Sequence, residues 1–314
     1  MVELLEHNRE TFVDHLKRQG IRDPAVLRAM GAVPREEFVG VHLREFAYDD
    51  SPLPIEEGQT ISQPYIVALM TEALRLSAED RVLEVGTGSG YAAAVLAEIA
   101  REVYSVERHR SLAHQAAQRL ARLGYRNVEV LCGDGTLGWP EHAPYDAIVV
   151  AAAGPDAPRA LIEQLAIGGR LVIPTGPTTR AQNLLRVTRV AEDLVEIEEL
   201  GAVVCAAPAA ARARDRRHLP PGNGAAEPLL PRLAAAPVRR IHLVRPDPRG
   251  KRPRHRSRRG HAGHFSVRPL SPAGRSSPLP APRYVAQPGA RGVHRGSRTG
   301  PLGRTSIPCA ARAT

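Results

Sequence analysis

The sequence predicts an α/β fold, a doubly wound and mostly parallel sheet with helices ahead of it. Three observations predict this. Between residues 81 and 174, short apolar runs alternate with segments of helical period, the order that builds parallel βαβ units. Residues 82–91, Val-Leu-Glu-Val-Gly-Thr-Gly-Ser-Gly-Tyr, carry a buried-strand pattern into glycines at 86, 88 and 90. The composition also breaks near residue 203. Residues 1–203 hold 20 Lys+Arg against 30 Asp+Glu, whereas 204–314 hold 23 against 3. The +10 of the 314-residue chain is therefore an acidic domain of −10 followed by a basic stretch of +20.

Each element follows from local pattern. Leu4, Leu5, Phe12, Val13 and Leu16 fall at helical spacing, so residues 3–18 are expected to form an amphipathic helix. Asp23 is a helix-capping residue and Pro24 suits a first turn, starting a second helix through Val26, Leu27 and Met30. Residues 46–63 read as loop, broken by Ser51-Pro52, Leu53-Pro54 and Gly58. Ser62 and Pro64 open a third helix with Ile66, Leu69, Met70, Ala73 and Leu74 on its buried side. Strands are expected at 81–85, 102–106, 127–131, 145–151 and 169–174, with helices at 91–100, 109–123 and 157–166 between them. Residues 182–190 and 194–203 are close enough in sequence to form an antiparallel hairpin. The expected organisation is a helical and substrate-binding segment over 1–80, a cofactor-binding α/β domain over 81–203, and a basic tail over 204–314.

In a sheet of this kind, ligands bind at the carboxyl ends of the strands. After the first strand comes the glycine run Gly86-Thr87-Gly88-Ser89-Gly90, where glycine permits a tight turn and close approach of a ligand to the backbone. After the second comes Glu107, placed to accept hydrogen bonds from a ribose diol, or else a helix-start acid beside Arg108. After the third comes Gly133-Asp134-Gly135, whose carboxylate can accept from an adenine amino group or simply close an Asx-type turn. Glu84 is either a buried acid that orders the glycine loop or a strand-end carboxylate in a salt bridge. The fourth strand ends in Val150-Ala151-Ala152-Ala153-Gly154, small residues that let a ligand lie close. A dinucleotide fingerprint places its last glycine three beyond the second. Here the glycines alternate and Glu84 stands two before the first. That form is similar to motif I of the class I S-adenosylmethionine-dependent methyltransferases, whose fold is Rossmann-like. An acidic site also suits a sulfonium cofactor better than a phosphate cradle does.

Ahead of the glycine loop, residues 58–65 read Gly-Gln-Thr-Ile-Ser-Gln-Pro-Tyr, and further upstream stands Val33-Pro34-Arg35-Glu36-Glu37-Phe38-Val39. Downstream come residues 165–174, Leu-Ala-Ile-Gly-Gly-Arg-Leu-Val-Ile-Pro, and Leu184-Leu185-Arg186-Val187. Together these resemble the protein-L-isoaspartate (D-aspartate) O-methyltransferase family, over about residues 5–203. The resemblance implies methyl transfer from S-adenosylmethionine to the α-carboxylate of L-isoaspartyl residues in damaged proteins. The ester then closes to a succinimide that reopens partly as normal aspartate. It also implies that Ser62 is the active-site serine, with Thr60 beside it. A hydroxyl and free N–H groups at a helix start form a carboxylate site. The alternative for Ser62 is a plain cap of the helix beginning at Pro64.

Beyond Val203 the family's usual Val-Arg-Phe-Val-Pro-Leu strand is replaced by Val204-Cys205-Ala206-Ala207-Pro208 and an Arg/Pro/Ala tract with 17 prolines in 111 residues. Only Ile241-His242-Leu243-Val244 resembles a strand there, and the stretch as a whole is expected to be disordered. Three readings stand: a reading-frame change in a GC-rich gene, a natural basic tail that binds nucleic acid or acidic partners, or a divergent fused domain. The abrupt break in composition favours the first. Other functional classes narrow quickly. Cys132, Cys205 and Cys309 have no metal-ligand spacing and fit a reducing compartment. The acidic N-terminus lacks an apolar signal core, and no apolar run approaches the ~20 residues needed to span a membrane. The expectation is a cytoplasmic monomer. His109, His114 and His142 have no spaced partners, so no metal is assigned.

Overall fold

The computed structural model describes residues 2–178, 181–203 and 238–243, all within one compact unit. Helix α1 spans Val2–Gln19 and α2 spans Pro24–Ala32. Asp23 caps α2 as its sequence suggests, its Oδ1 accepting from the N–H of Ala25 at 2.7 Å and Val26 at 3.3 Å. Two 3-10 turns follow, Arg35–Phe38 and Val41–Phe46. The expected loop over 46–63 contains a small antiparallel ladder between β1, Leu53–Pro54, and β2, Thr60–Ile61, with a 3-10 turn at Glu56–Gly58 between them. Pairs this short carry no strand periodicity in sequence.

Helix α3, Pro64–Leu74, buries ten of its eleven residues rather than one side, leaving only Glu72 outside. The reason is tertiary: α3 packs in one apolar cluster with Phe12, Leu16 and Met30 of the first two helices and with Val82 and Val149 of the sheet.

From residue 81 the chain alternates β3 (Arg81–Val85), α4 (Tyr91–Ala97), β4 (Glu102–Glu107), α5 (Arg110–Arg122), β5 (Val128–Cys132), β6 (Tyr145–Val150), α6 (Arg159–Glu163) and β7 (Leu165–Thr178). Then come β8 (Ala181–Ala191) and β9 (Leu194–Val203). The strand at Arg239–His242 is β10. The sheet order is β10-β9-β8-β7-β6-β3-β4-β5. Strands β5, β4, β3, β6 and β7 are parallel, and β7 through β10 pair antiparallel. Both faces of the parallel part are covered, as parallel sheets require. Successive residues therefore feed opposite cores: Val82, Val103 and Ala147 face one cluster, and Leu83, Tyr104 and Ile148 the other.

The α6–β7 junction differs from sequence expectation. Helix α6 stops at Glu163, short of 166, because Leu165 pairs with Tyr145 as the first residue of β7. The Gln164 side chain is drawn inward, donating to Leu137 O at 2.8 Å and accepting from Trp139 N at 2.9 Å.

The tail is corrected in one place. Residues 239–242 form an edge strand on β9, with Ile241 opposite Val195 and His242 opposite Leu194. The pairing is supported by Arg240 Nε donating to Glu196 at 2.8 Å and Leu243 N donating to Asp193 O at 2.7 Å. The remaining expectations for 204–314, including the missing family strand, fall outside the described residues.

Candidate active site

The chain runs from β3 outward to β4 and β5, then crosses back to β6 on the other side of β3. Connections diverge there and leave a crevice at the carboxyl ends of the strands. The crevice holds about 350 Å³, in the range of small-molecule sites.

The loop after β3 forms its floor. Gly86, Gly88 and Gly90 have φ of +100°, +53° and +92°, a left-handed region in which side chains are strained. Glu107, at the end of β4, is 6% exposed and lines the crevice. Its Oε2 accepts from Gly88 N and its Oε1 from His109 N, each at 2.9 Å. A carboxylate offers about four acceptor positions, so two remain for a ligand diol.

At the end of β5, Asp134 Oδ1 accepts from Thr136 N at 2.9 Å and Thr136 Oγ1 at 2.7 Å. These bonds hold its carboxyl below the usual carboxylate range. The Asx-type turn is thus real, and it occupies only one oxygen of a carboxylate that also lines the crevice. Gly135 beside it has no room for a side chain, because an added Cβ would overlap Val85 Cγ1.

Residues 59–62 also line the crevice, Thr60 and Ser62 among them. The expected cap by Ser62 and the expected free N–H groups at the start of α3 are both corrected. Pro64 has no N–H to give, and the N–H of Tyr65 donates to Asp50 Oδ1 at 3.0 Å. The other oxygen of Asp50 accepts from Gln63 Nε2 at 2.9 Å and Gln19 Nε2 at 2.7 Å. A carboxylate already sits on this helix start, so a ligand carboxylate has the Ser62 hydroxyl to meet rather than the helix terminus.

The structure thus brings Thr60, Ser62, Gly86, Thr87, Gly88, Ser89, Glu107, Asp134 and Gly135 together. It sets Glu84, Gly90 and Gly133 behind them. Gly90 packs toward Ala116 and Leu120, and Gly133 N donates to Glu107 O at 2.9 Å. Glu84 is fully buried and makes no salt bridge among the described residues, which removes that reading. It accepts from Ser105 Oγ, which shares a second hydrogen bond with Thr87 Oγ1. Burial, with Glu107 nearby, pushes its carboxyl up to about 8. Glu84 is therefore a buried acid tied to the glycine loop through two hydroxyls.

Sequence reasoning gave no site role to Gln59, Tyr91 or His109, which all line the crevice. His109 precedes α5 with its Nδ1 3.9 Å from Glu57 Oε2. Tyr91 follows the last loop glycine directly, the only local signal for it. Ala151, Ala152 and Ala153 line the crevice as their size suggests. His142 stacks on Tyr104 with centroids 4.0 Å apart. No group of three or more His, Cys, Asp or Glu suited to a metal occurs among the described residues.

Fold and crevice together are those of a Rossmann-like α/β protein with a ligand site at the carboxyl ends of its parallel strands. Comparison with known proteins narrows the class. A sequence profile of the protein-L-isoaspartate (D-aspartate) O-methyltransferases matches residues 7–211. The chain is 64% identical to protein-L-isoaspartate O-methyltransferase 2 of Pelobacter propionicus, over 62% of this chain and 87% of that one. It is 62% identical to protein-L-isoaspartate O-methyltransferase 1 of Geotalea uraniireducens, over 63% and 91%. A solved protein-L-isoaspartate O-methyltransferase superposes with a TM-score of 0.57 at 32% identity, over 63% of this chain and 65% of that one. A Plasmodium falciparum structure of the same description, in complex with S-adenosyl-L-homocysteine, gives 0.55 at 25% identity, over 64% and 97%. The chain belongs to the protein-L-isoaspartate (D-aspartate) O-methyltransferase family, and as a member it is an enzyme that uses S-adenosylmethionine.

Proposed function

We propose that this chain is a protein repair methyltransferase, moving a methyl group to the α-carboxylate of L-isoaspartyl residues, with Ser62 and Thr60 orienting that carboxylate. The observation that carries this reading is that one crevice is lined both by the glycine loop and by Thr60 and Ser62. S-adenosylmethionine, when bound, supplies the methyl group from a sulfonium sulfur. Gly86 and Gly88 would offer their backbone to it, Glu107 would accept from the ribose hydroxyls, and the second oxygen of Asp134 would accept from the adenine amino group. Thr87 and Ser89 hold the loop, while Glu84, Gly90 and Gly133 shape it from behind.

The acceptor carboxylate is ionised at neutral pH, so it needs no general base. Catalysis then rests on alignment and on exclusion of water. Ser62 donates its hydroxyl to one carboxylate oxygen and turns the other toward the methyl group. No described residue competes for that hydroxyl.

The test is methyl transfer to an isoaspartyl peptide and to its aspartyl twin. Methylation of the first alone supports repair. Equal methylation of both, or of small acids only, supports a small-molecule methyltransferase instead. The +20 charge of residues 204–314 motivates a second reading, nucleic-acid binding through the tail. Salt-sensitive DNA binding that disappears when 204–314 are removed would support it.

We retain the division into a substrate-binding segment over 1–80, a cofactor domain over 81–203 and the tail. We also retain a monomer in the cytoplasm. Scattered cysteines favour a reducing compartment, and no helix among the described residues is long and apolar enough to cross a membrane.

A further inference from the structure

Arg35 heads the fully buried side chains of the described residues by volume. No carboxylate lies within ion-pair distance of it among those residues. Its Nε donates to Ala47 O at 2.8 Å and its Nη2 to Ser62 O at 2.7 Å. The guanidinium carbon lies 4.6 Å from the centroid of the Tyr91 ring. Its Nη1 is buried without a hydrogen-bond partner, and the charge of Asp50 reaches it only from beyond ion-pair distance. A cation buried in this way is expensive, and an apolar residue of similar volume is often at least as stable. Stability of the fold alone therefore does not account for an arginine here.

Its contacts suggest what does. Ser62 both offers the carbonyl that Arg35 holds and lines the crevice. Tyr91 directly follows Gly90 and lines the same crevice. One planar group thus joins two segments that line the crevice. The same 3-10 turn braces the glycine loop a second time. Phe38 meets Tyr91 edge-on at 5.6 Å, and Arg119, whose Nη1 donates to Ser89 O at 2.7 Å, lies 5.9 Å over Phe38. A guanidinium can donate in its plane and stack with its face at once, which an ammonium cannot.

We propose that Arg35 is a positioning residue for methyl transfer, fixing Ser62 in register with the glycine loop. This rests on the reading of Ser62 as the residue that orients the acceptor carboxylate. In-line transfer is sensitive to placement, and a 1 Å error costs on the order of 100-fold in rate.

The test compares Arg35→Lys and Arg35→Met with the parent enzyme, using an isoaspartyl peptide and counting competent sites by S-adenosylhomocysteine titration. Both variants should lose roughly 10- to 100-fold in kcat per site, while peptide KM and S-adenosylhomocysteine Kd move less than about 3-fold. In a Ser62→Ala background, Arg35→Met should add less than about 2-fold, because Arg35 acts through Ser62. A kcat per site within about 3-fold of the parent in either variant, or losses at 35 and 62 that simply multiply, overturns the proposal. If Ser62→Ala is impaired but the Arg35 variants are not, only the role of Arg35 falls. If Ser62→Ala is unimpaired, the reading of Ser62 falls and this proposal with it. Should neither Arg35 variant bind S-adenosylhomocysteine, Tyr91→Leu removes the aromatic face instead. A 10-fold or greater kcat loss there, with binding intact, supports the role, and parental kcat overturns it.

Discussion

Ser62 is spared from capping α3 because Asp50 already holds the N–H of Tyr65. Its hydroxyl is therefore available to a substrate. Ser62→Ala should lower turnover of an isoaspartyl peptide by roughly 10²-fold while leaving S-adenosylmethionine affinity nearly unchanged. Steady-state kinetics beside calorimetric binding would check this, and equal losses in both would sink the positioning role. Glu84 gives a second residue-scale prediction. Its folded carboxyl sits near 8, against about 4.3 for a free glutamate. Between those values the folded state keeps a proton that the unfolded state has lost, so stability falls as pH rises through the window and levels off above it. Glu84→Gln keeps a hydrogen-bonding partner for Ser105 and abolishes the titration. Its melting temperature should then decline less between pH 5 and pH 8 than that of the parent. Parallel melting curves across that range would show that Glu84 does not titrate as described.

Among the elements, α3 depends most on a distant residue. Asp50 caps it from fifteen positions upstream and also ties down Gln63 and Gln19. Asp50→Ala should cost about 1–2 kcal/mol, seen as a drop of a few degrees in melting temperature. A variant that melts with the parent would argue that water replaces the cap without loss. The β3–α4 turn behaves differently, since its three left-handed glycines were legible from spacing alone. Nothing in the spacing revealed that Gly135 must be glycine. That need arises where Val85 from another strand presses against it.

For the whole molecule, the basic stretch after Val203 is not wholly separate from the sheet. Residues 239–242 cover the edge of β9 over Leu194 to Ile197, and Ile241 packs against the core that holds Val195. A chain ending at Val203 should melt lower than the full chain and self-associate more, because it presents an unpaired edge. Calorimetry and light scattering would read both effects, and a monodisperse truncation with unchanged melting would remove any structural role for β10. Translating the coding DNA in its other frames beyond codon 203 would separate a reading-frame change from a natural tail. Recovery of a strand such as Phe-Val-Pro-Leu would favour the former.

Alternation of strand and helix, the glycine run, and the carboxylates at two strand ends are local patterns. They follow from backbone geometry and period, so the sequence by itself determined the fold class and marked several residues that the structure brings to one crevice. Motif order from residue 33 to 187 determined the family in the same way. Contacts across sequence were not local and carry no period. Only the tertiary structure decided that Asp50, not Ser62, caps α3, and that Glu84 reaches Thr87 through Ser105. It alone placed Arg35 against both Ser62 and Tyr91, and paired a piece of the basic tail with β9. Each of those depends on where separate segments meet, which is set by packing rather than by any residue's neighbours in the chain.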